Sequence, residues 1–413
     1  MHHLRLKVMN NVSLRFSEFS GSGYTSSSLS SFLERYVNPV HLEDDREYVE
    51  IGIRSWGKGI FAKEPTNKLT IGNKRVFWLE KDLLILNIVF AWEQAIAVTS
   101  SSELGKIASH RFPMYKVDEE IANLVYIKYK FLTGRGKQLL ELASPGGAGR
   151  NKTLGQKDFE SLKLSLPPLD EQKKIAEFLT SVDSKLDLLN ERYHLLKEYR
   201  KGVMQRIFNQ EIRLKNVEGK SYSDWQYKPL STLLVEKKLK NKELRFSKND
   251  VLSVSGELGV VNQIEHLGRS YAGESVAPYS IVDTGDIVYT KSPLKDSPYG
   301  IIKANLGKSG IVSTLYAVYE CTDKAYPKYL HYYFSLDDNL NRYLRPLVHK
   351  GAKNDMKINN QRVLIDSIYY PSYDEQVRIC QFLDTIEDSL SSIKLQIEKV
   401  DEFRKGLLQK MFA

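Results

Sequence analysis

Phosphate chemistry is first sought where glycine, lysine and serine adjoin, and Gly307-Lys-Ser309 offers that triplet. A phosphate-cradling loop needs an earlier glycine five residues before the Gly-Lys pair, and Gly300 lies two residues too far away. Ser144-Pro-Gly-Gly-Ala-Gly149 is also Gly-rich, but it lacks the spacing of a dinucleotide fingerprint and opens no convincing helix. No Gly-x-Ser-x-Gly elbow, Cys-x-x-Cys pair, His-Glu-x-x-His motif or Asn/Asp-Pro-Pro-Tyr/Phe stretch occurs. The two cysteines, Cys321 and Cys380, make no disulfide framework and suit a reducing compartment. The sequence predicts no catalytic residue and no metal site.

Basic loops are the stronger signal. The first half carries Ser55-Trp-Gly-Lys-Gly59, Thr133-Gly-Arg-Gly-Lys137 and Gly149-Arg-Asn-Lys152; the second carries Lys291-Ser-Pro-Leu-Lys295 and His349-Lys-Gly-Ala-Lys-Asn354. Glycine permits close backbone approach, while Lys, Arg and Asn supply phosphate charge and donors for base edges. Each loop alone reads as an ordinary solvated turn. Their recurrence at matched places, Gly146-Gly-Ala-Gly-Arg-Asn151 against Lys350-Gly-Ala-Lys-Asn-Asp355, favours a functional role. The candidates are Lys58, Arg135, Lys137, Arg150, Asn151 and Lys152, then Lys291, Lys295, Lys350, Lys353, Asn354 and Lys357. A formal charge of +9 suits a polyanionic partner.

The elements that must hold these loops repeat. Pro167-Pro-Leu-Asp-Glu-Gln-Lys-Lys-Ile175 returns as Pro371-Ser-Tyr-Asp-Glu-Gln-Val-Arg-Ile379, and Glu198-Tyr-Arg-Lys-Gly202 returns as Glu402-Phe-Arg-Lys-Gly406. The displacement is about 204 residues throughout, and roughly 14 of about 42 positions are identical. Arg15-Phe-Ser-Glu-Phe19 echoes Ser221-Tyr-Ser-Asp-Trp225 more loosely. The chain therefore reads as two tandem copies, each a mixed segment followed by a strongly periodic one.

From Ile175 the apolar positions step by three and four through Leu179, Val182, Leu186, Leu189, Tyr193, Leu196, Tyr199 and Val203. The second copy answers with Leu383, Ile386, Leu390, Ile393, Ile397, Val400, Phe403 and Leu407. Such steps predict one face of a long helix, roughly 57 Å for about 38 residues. A stripe that long predicts the other copy as its partner, in an intramolecular coiled coil. In the mixed segments, strands are expected at Tyr48–Arg54, Leu83–Leu86, Ala95–Val98, Ile281–Tyr289 and Thr314–Tyr319, with helices at Leu124–Leu132 and Pro327–Phe334. The fold class is α+β.

The 413 residues, 42% hydrophobic and 27% charged, are ordinary for a globular protein of more than one domain. The apolar stretch near Leu83–Trp92 is too short to span a membrane, and Met1-His-His-Leu-Arg-Leu-Lys7 offers no apolar signal segment. A cytoplasmic protein without membrane attachment is expected.

The run P-P-L-D-E-Q-K-K-I-A-E-F-L at 167–179, D-S-K-L-D-L-L at 183–189 and K-E-Y-R-K-G-V-M-Q-R-I-F at 197–208 resembles the conserved helix of type I restriction–modification specificity subunits. Its echo at 371–412 does so too, and Arg15–Phe19 resembles the family's opening to a target-recognition domain, with Phe19 where the second copy has Trp225. The resemblance implies recognition domains at 1–165 and 214–369, and long antiparallel helices at 166–213 and 370–413. Each domain would read one half of a bipartite, asymmetric target in double-stranded DNA. The helices would bind two methyltransferase subunits using S-adenosylmethionine, and restriction subunits using ATP and Mg2+ would join them. The chain itself would be non-catalytic and hold no cofactor. A stand-alone coiled-coil-linked DNA-binding or architectural protein, without enzyme partners, is the alternative. A self-sufficient methyltransferase would need a cofactor motif that is not found.

Overall fold

Short β-branched and aromatic runs in the first copy pair into an antiparallel sheet of β1 (Leu33–Tyr36), β2 (Leu84–Leu86), β3 (Ile96–Val98) and β4 (Met114–Val117), in the order β1-β4-β2-β3. The triplet Leu84-Ile-Leu86 is buried throughout, as a continuous apolar run covered on both faces should be. Helices α1 (Leu124–Phe131) and α2 (Gly134–Leu142) follow, and the side chains of Asn123 and Thr133 cap them by accepting from the amides of Tyr126 and Gly136. A ribbon of Thr25–Ser28 with Lys163–Leu166 closes the copy, and the chain then enters α3 (Leu169–Phe208). These elements come from a computed structural model that describes residues 6–9, 13–146, 152–291, 297–350 and 356–412, the side chains of 6–9, 13, 349–350 and 356–357 excepted.

The second copy repeats the plan. Strands β5 (Leu234–Glu236), β6 (Ile287–Thr290), β7 (Ile302–Ala304) and β8 (Tyr316–Cys321) take the order β5-β8-β6-β7, the same as in the first copy. Helices α4 (Pro327–Tyr333) and α5 (Asp337–Leu344) follow, then a closing ribbon of Gln226–Pro229 with Ser367–Tyr370, then α6 (Tyr373–Met411). The expected helices are present as α1 and α4. The expected strand Ile281–Tyr289 is instead two: Ser280–Val282 pairs with Gly310–Val312, and β6 lies in the four-stranded sheet. The break falls at Gly285, whose φ of 94° a strand residue would not adopt. Gly307-Lys-Ser309 occupies the turn after β7, where the Asn305 side chain accepts from the Gly307 amide, and a strand rather than a helix follows. The triplet is a turn, not a phosphate cradle.

Both long helices place acids in the first turn, Asp170 and Glu171 in α3 and Asp374 and Glu375 in α6, and a base in the last, Arg206 and Lys410. These signs complement the helix dipole. The chain divides into two units, one of residues 1–190 with 395–413 and the other of residues 191–394. Each unit therefore contains one mixed copy, the early part of one long helix and the late part of the other.

Inside the first unit, Leu179 and Val182 of α3 and Leu407, Leu408 and Met411 of α6 share a core with Phe16, Tyr126 and Phe159, and Val400 packs on it. Inside the second, Leu383, Ile386 and Leu390 share a core with Met204, Trp225 and Tyr329, with Tyr193 and Leu196 packed on it. Leu189 and Ile393 are buried, and Leu186 and Ile397 are half-buried. The stripe thus packs on the cores of the mixed copies as well as on the other long helix. An ion pair joins Asp183 to Arg404 in the first unit, and Arg200 Nε lies 2.8 Å from Glu387 Oε1 in the second. Early α3 meets late α6 and late α3 meets early α6, so the two helices run antiparallel. The stripe departs from expectation at one turn of each helix. Tyr199 and Phe403, expected on it, are 54% and 53% exposed, because the inward place there belongs to the paired arginines Arg200 and Arg404.

Candidate nucleic-acid interface and the anchors behind it

In the first unit, the fold gathers basic residues that lie far apart in sequence. The strands Ile51–Ile53 and Ile60–Ala62 form a hairpin whose connecting loop carries Trp56 and Lys58, both exposed. Positive φ angles at Trp56, Gly57 and Gly59 fold that loop tightly, and the Trp56 and Gly57 amides donate to the carbonyls of Glu93 and Gln94. The Ser55 hydroxyl donates to the Glu93 carboxylate at 2.8 Å. Gln94 is buried, and its side-chain amide donates to the carbonyls of Phe131 and Thr133, which fixes the start of α2 against the same loop. There Arg135 is exposed and the Lys137 ammonium lies 4.9 Å from the Trp56 ring centre. Lys152 lies 5.5 Å from the ring of Trp92, next to Glu93. Cations over aromatic faces gain about 0.5–1 kcal/mol when exposed. Lys58, Arg135, Lys137 and Lys152 thus share one neighbourhood around Trp56, Trp92 and Glu93. Arg150 and Asn151 lie outside the described residues.

The second unit is less complete. Lys291 is half-buried at the end of β6, where burial lowers its basicity and Glu236 partly restores it. Glu236 also accepts from the Asn360 side chain at 2.8 Å. Just before Asn360, His349–Lys350 pairs with Met356–Lys357, so Lys350 and Lys357 stand on the two arms of a ribbon. Lys295, Lys353 and Asn354 lie outside the described residues. Among the described residues, no group of three His, Cys, Asp or Glu side chains could hold a metal ion, and no helix is long and apolar enough to cross a membrane.

The repeated Asp-Glu-Gln has a structural meaning that its recurrence did not disclose. Glu171, 0% exposed, receives two parallel bonds of 2.7 Å from the Arg15 guanidinium. Glu375, equally buried, receives bonds of 3.0 and 2.8 Å from Arg213, plus one from Trp225 Nε1 at 3.2 Å. The neighbouring glutamines act alike. Gln172 accepts from the Asn123 amide and donates to the carbonyls of Ile121 and Pro167; Gln376 accepts from the Tyr326 amide and donates to those of Lys324 and Pro371. Each glutamine satisfies backbone groups that burial would otherwise orphan. Tyrosines add a further tie: Tyr129 donates to Asp183 at 2.7 Å, and Tyr332 to Asp384 at 2.6 Å. Each mixed copy is thereby fastened to the first turns of its own helix by one bidentate ion pair and one glutamine clasp.

Residues 85–198 match a family described as the type I restriction modification DNA specificity domain. The putative type I restriction enzyme MjaX specificity subunit of Methanocaldococcus jannaschii is 23% identical over 275 residues, 63% of this chain and 61% of that protein. The type I restriction enzyme MjaVIII specificity subunit of the same organism is 28% identical over 142 residues, 34% of this chain and 31% of that protein. The chain thus matches less than two thirds of the length of either relative. Among solved structures, the type I restriction–modification S subunit from M. genitalium superposes with a TM-score of 0.56 at 11% identity, covering 95% of this chain and 97% of that one. A chain from a study of complex assembly and conformational transition of the type I R-M system superposes at 0.52 with 14% identity, covering 95% and 98%. Residues 85–198 thus resemble a type I restriction modification DNA specificity domain, and the chain as a whole shares the fold of type I restriction–modification S subunits.

Proposed function

We propose that this chain is the non-catalytic DNA reader and scaffold of a type I restriction–modification complex. Its recognition domains, which we place at 1–165 and 214–369, each read one half of a bipartite target in double-stranded DNA. The observation that carries this reading is the doubled anchor: two diverged domains are fastened in the same way to two equivalent helices. Varying what is read while keeping how it is held is what a two-part reader requires.

Around Trp56, the loop side chains Lys58, Arg135, Lys137 and Lys152 supply backbone charge for one half-site. The segment of Lys291, Lys295, Lys350, Lys353, Asn354 and Lys357 serves the other, and Arg150 and Asn151 complete the first. The long helices bind two methyltransferase subunits, whose S-adenosylmethionine supplies the methyl group. Restriction subunits using ATP and Mg2+ add to that core in the cytoplasm.

Co-expression with the cognate modification subunit tests the reading. A complex of two modification chains to one reader is expected, methylating a split motif in genomic DNA. A chain that binds DNA specifically yet takes up no modification subunit would instead be a stand-alone architectural protein.

A further inference from the structure

A cavity of about 730 Å³ opens within the second unit, lined by β7, α4 and the parts of α3 and α6 belonging to that unit. This is the size of a small-molecule site. Lys303 lines it at 4% exposure, and its hydrogen-bond partner among the described residues is the Ser335 hydroxyl, at 2.7 Å. No carboxylate lies within ion-pair distance of the ammonium among the described residues. Burial, helped by the nearby Arg200 charge and partly offset by the Asp337 carboxylate, pushes its pKa down to about 8. A buried cation held only by a neutral hydroxyl opposes folding.

The first copy serves as an internal control. Lys303 on β7 pairs with Val288 on β6, as Ala97 on β3 pairs with Ile85 on β2. At the same place in the same sheet, Ala97 fills the position with no polar group and is 4% exposed. The fold does not need the lysine.

The other charged lining groups are mostly paired among themselves, which leaves Lys303 without an ion-pair partner of its own among the described residues. Arg200 is close to Glu387, although out of line for a hydrogen bond, and Lys328 lies 2.7 Å from Asp384. Those two pairs neutralise themselves. Lys197, Lys303 and Lys394 remain, with Glu257 and Asp388 in the cavity and Asp337 in the space adjoining it. His331 lines the same space; burial keeps its ring neutral by lowering its pKa to about 3, and one ring nitrogen bonds the Ala304 backbone, so the buried Nδ1 is left as an acceptor and adds no charge to the cavity.

We propose that this cavity binds a phosphate group, with the Lys303 ammonium as its principal contact. Two sources share that chemistry, a free phosphate ester and a backbone phosphate of DNA. Occupancy by a free ester would not depend on the chain being a DNA reader.

Titration calorimetry of the intact chain with inorganic phosphate, at ionic strength held with chloride, is expected to show one site. Lys303→Met should weaken it by at least about tenfold, since a charge-assisted bond is lost. Lys303→Arg should retain binding. Without phosphate, Lys303→Met should melt at or above the wild-type temperature, because a buried unpaired charge is gone. Undiminished binding by Lys303→Met, or no binding by the wild type at millimolar phosphate, overturns the proposal. A second arm adds short duplex DNA. Displacement of phosphate by the duplex assigns the site to backbone phosphates, and simultaneous binding assigns it to a free ester.

Discussion

Removing Arg213 should destabilise the second unit far more than removing the whole ion pair it belongs to. Arg213→Met leaves the Glu375 carboxylate at 0% exposure with Trp225 Nε1 as its remaining described donor. Stranding one member of a buried pair costs about 3–5 kcal/mol, and one surviving hydrogen bond to a charged group offsets about 1. The Arg213 side chain is itself 29% exposed, so water reaches part of the vacated space and the lower end applies, about 2–3 kcal/mol. Arg15→Met should cost about 3–4 kcal/mol, because among the described residues Glu171 is bonded only by Arg15. Replacing both partners reverses most of the loss. Arg15→Met with Glu171→Leu should come within about 1 kcal/mol of wild type. Arg213→Met with Glu375→Leu should stay about 1 kcal/mol below it, since the Trp225 N–H then lacks an acceptor. Urea unfolding followed by fluorescence separates the units, because Trp56, Trp78 and Trp92 lie in the first and Trp225 in the second. If single and double variants are equally stable, the buried carboxylate is not the source of the cost and the anchor argument fails.

Alanine at Lys58, Arg135 or Lys137 should each reduce the salt slope of DNA affinity by about 0.9 for every phosphate no longer neutralised, read by anisotropy across a salt series. Slopes equal to wild type in all three would remove them from the backbone interface. Gly136→Ala should cost more than about 2 kcal/mol in a melting series, since its Cβ would sit 2.2 Å from the Lys130 carbonyl and 2.5 Å from Phe131 Cα. Gly202→Ala and Gly406→Ala, on α3 and α6 with nothing within 4 Å, should instead stabilise by about 0.5–1 kcal/mol. Lys130 is 5% exposed, donates to the Phe412 carbonyl at 3.2 Å, and has its pKa pushed down by burial to about 8. Between pH 8 and about 10 the unfolded chain keeps a proton that the folded one has lost, so stability of the first unit should rise with pH there. Lys130→Met should flatten that rise in unfolding midpoints; an unchanged slope would refute the assignment.

The long helices were legible because their apolar steps persist over many turns and their cores are buried where the steps fall, from Leu179 and Val182 to Leu383 and Ile386. The stripe misled at Tyr199 and Phe403. Periodicity counts apolar residues, and it cannot see that a neighbouring arginine turns inward to meet a carboxylate on the other helix. The basic loops around Trp56 were legible in type, but their convergence was not, since Gln94 holds them together through backbone carbonyls. The Asp-Glu-Gln anchors were visible as a repeat yet opaque in purpose. Their arginines do not align under the 204-residue displacement: Arg15 precedes the first sheet within the strand Ser13–Phe16, whereas Arg213 follows α3 directly. A similarity search sees identical letters, and here the fold supplies the same guanidinium from different places.

The make-up of the two units also sets an order in time. Residues 191–394 are contiguous, so everything that closes the second core has been synthesised once that stretch is made. The first core is interrupted: Leu407, Leu408, Met411 and Phe412 complete it, and they are synthesised more than two hundred residues after Tyr126 and Phe159. The half that is translated first is thus the half whose core stays incomplete until the closing segment arrives. A chaperone or a partner that covers apolar helix faces would find this intermediate on every newly made chain.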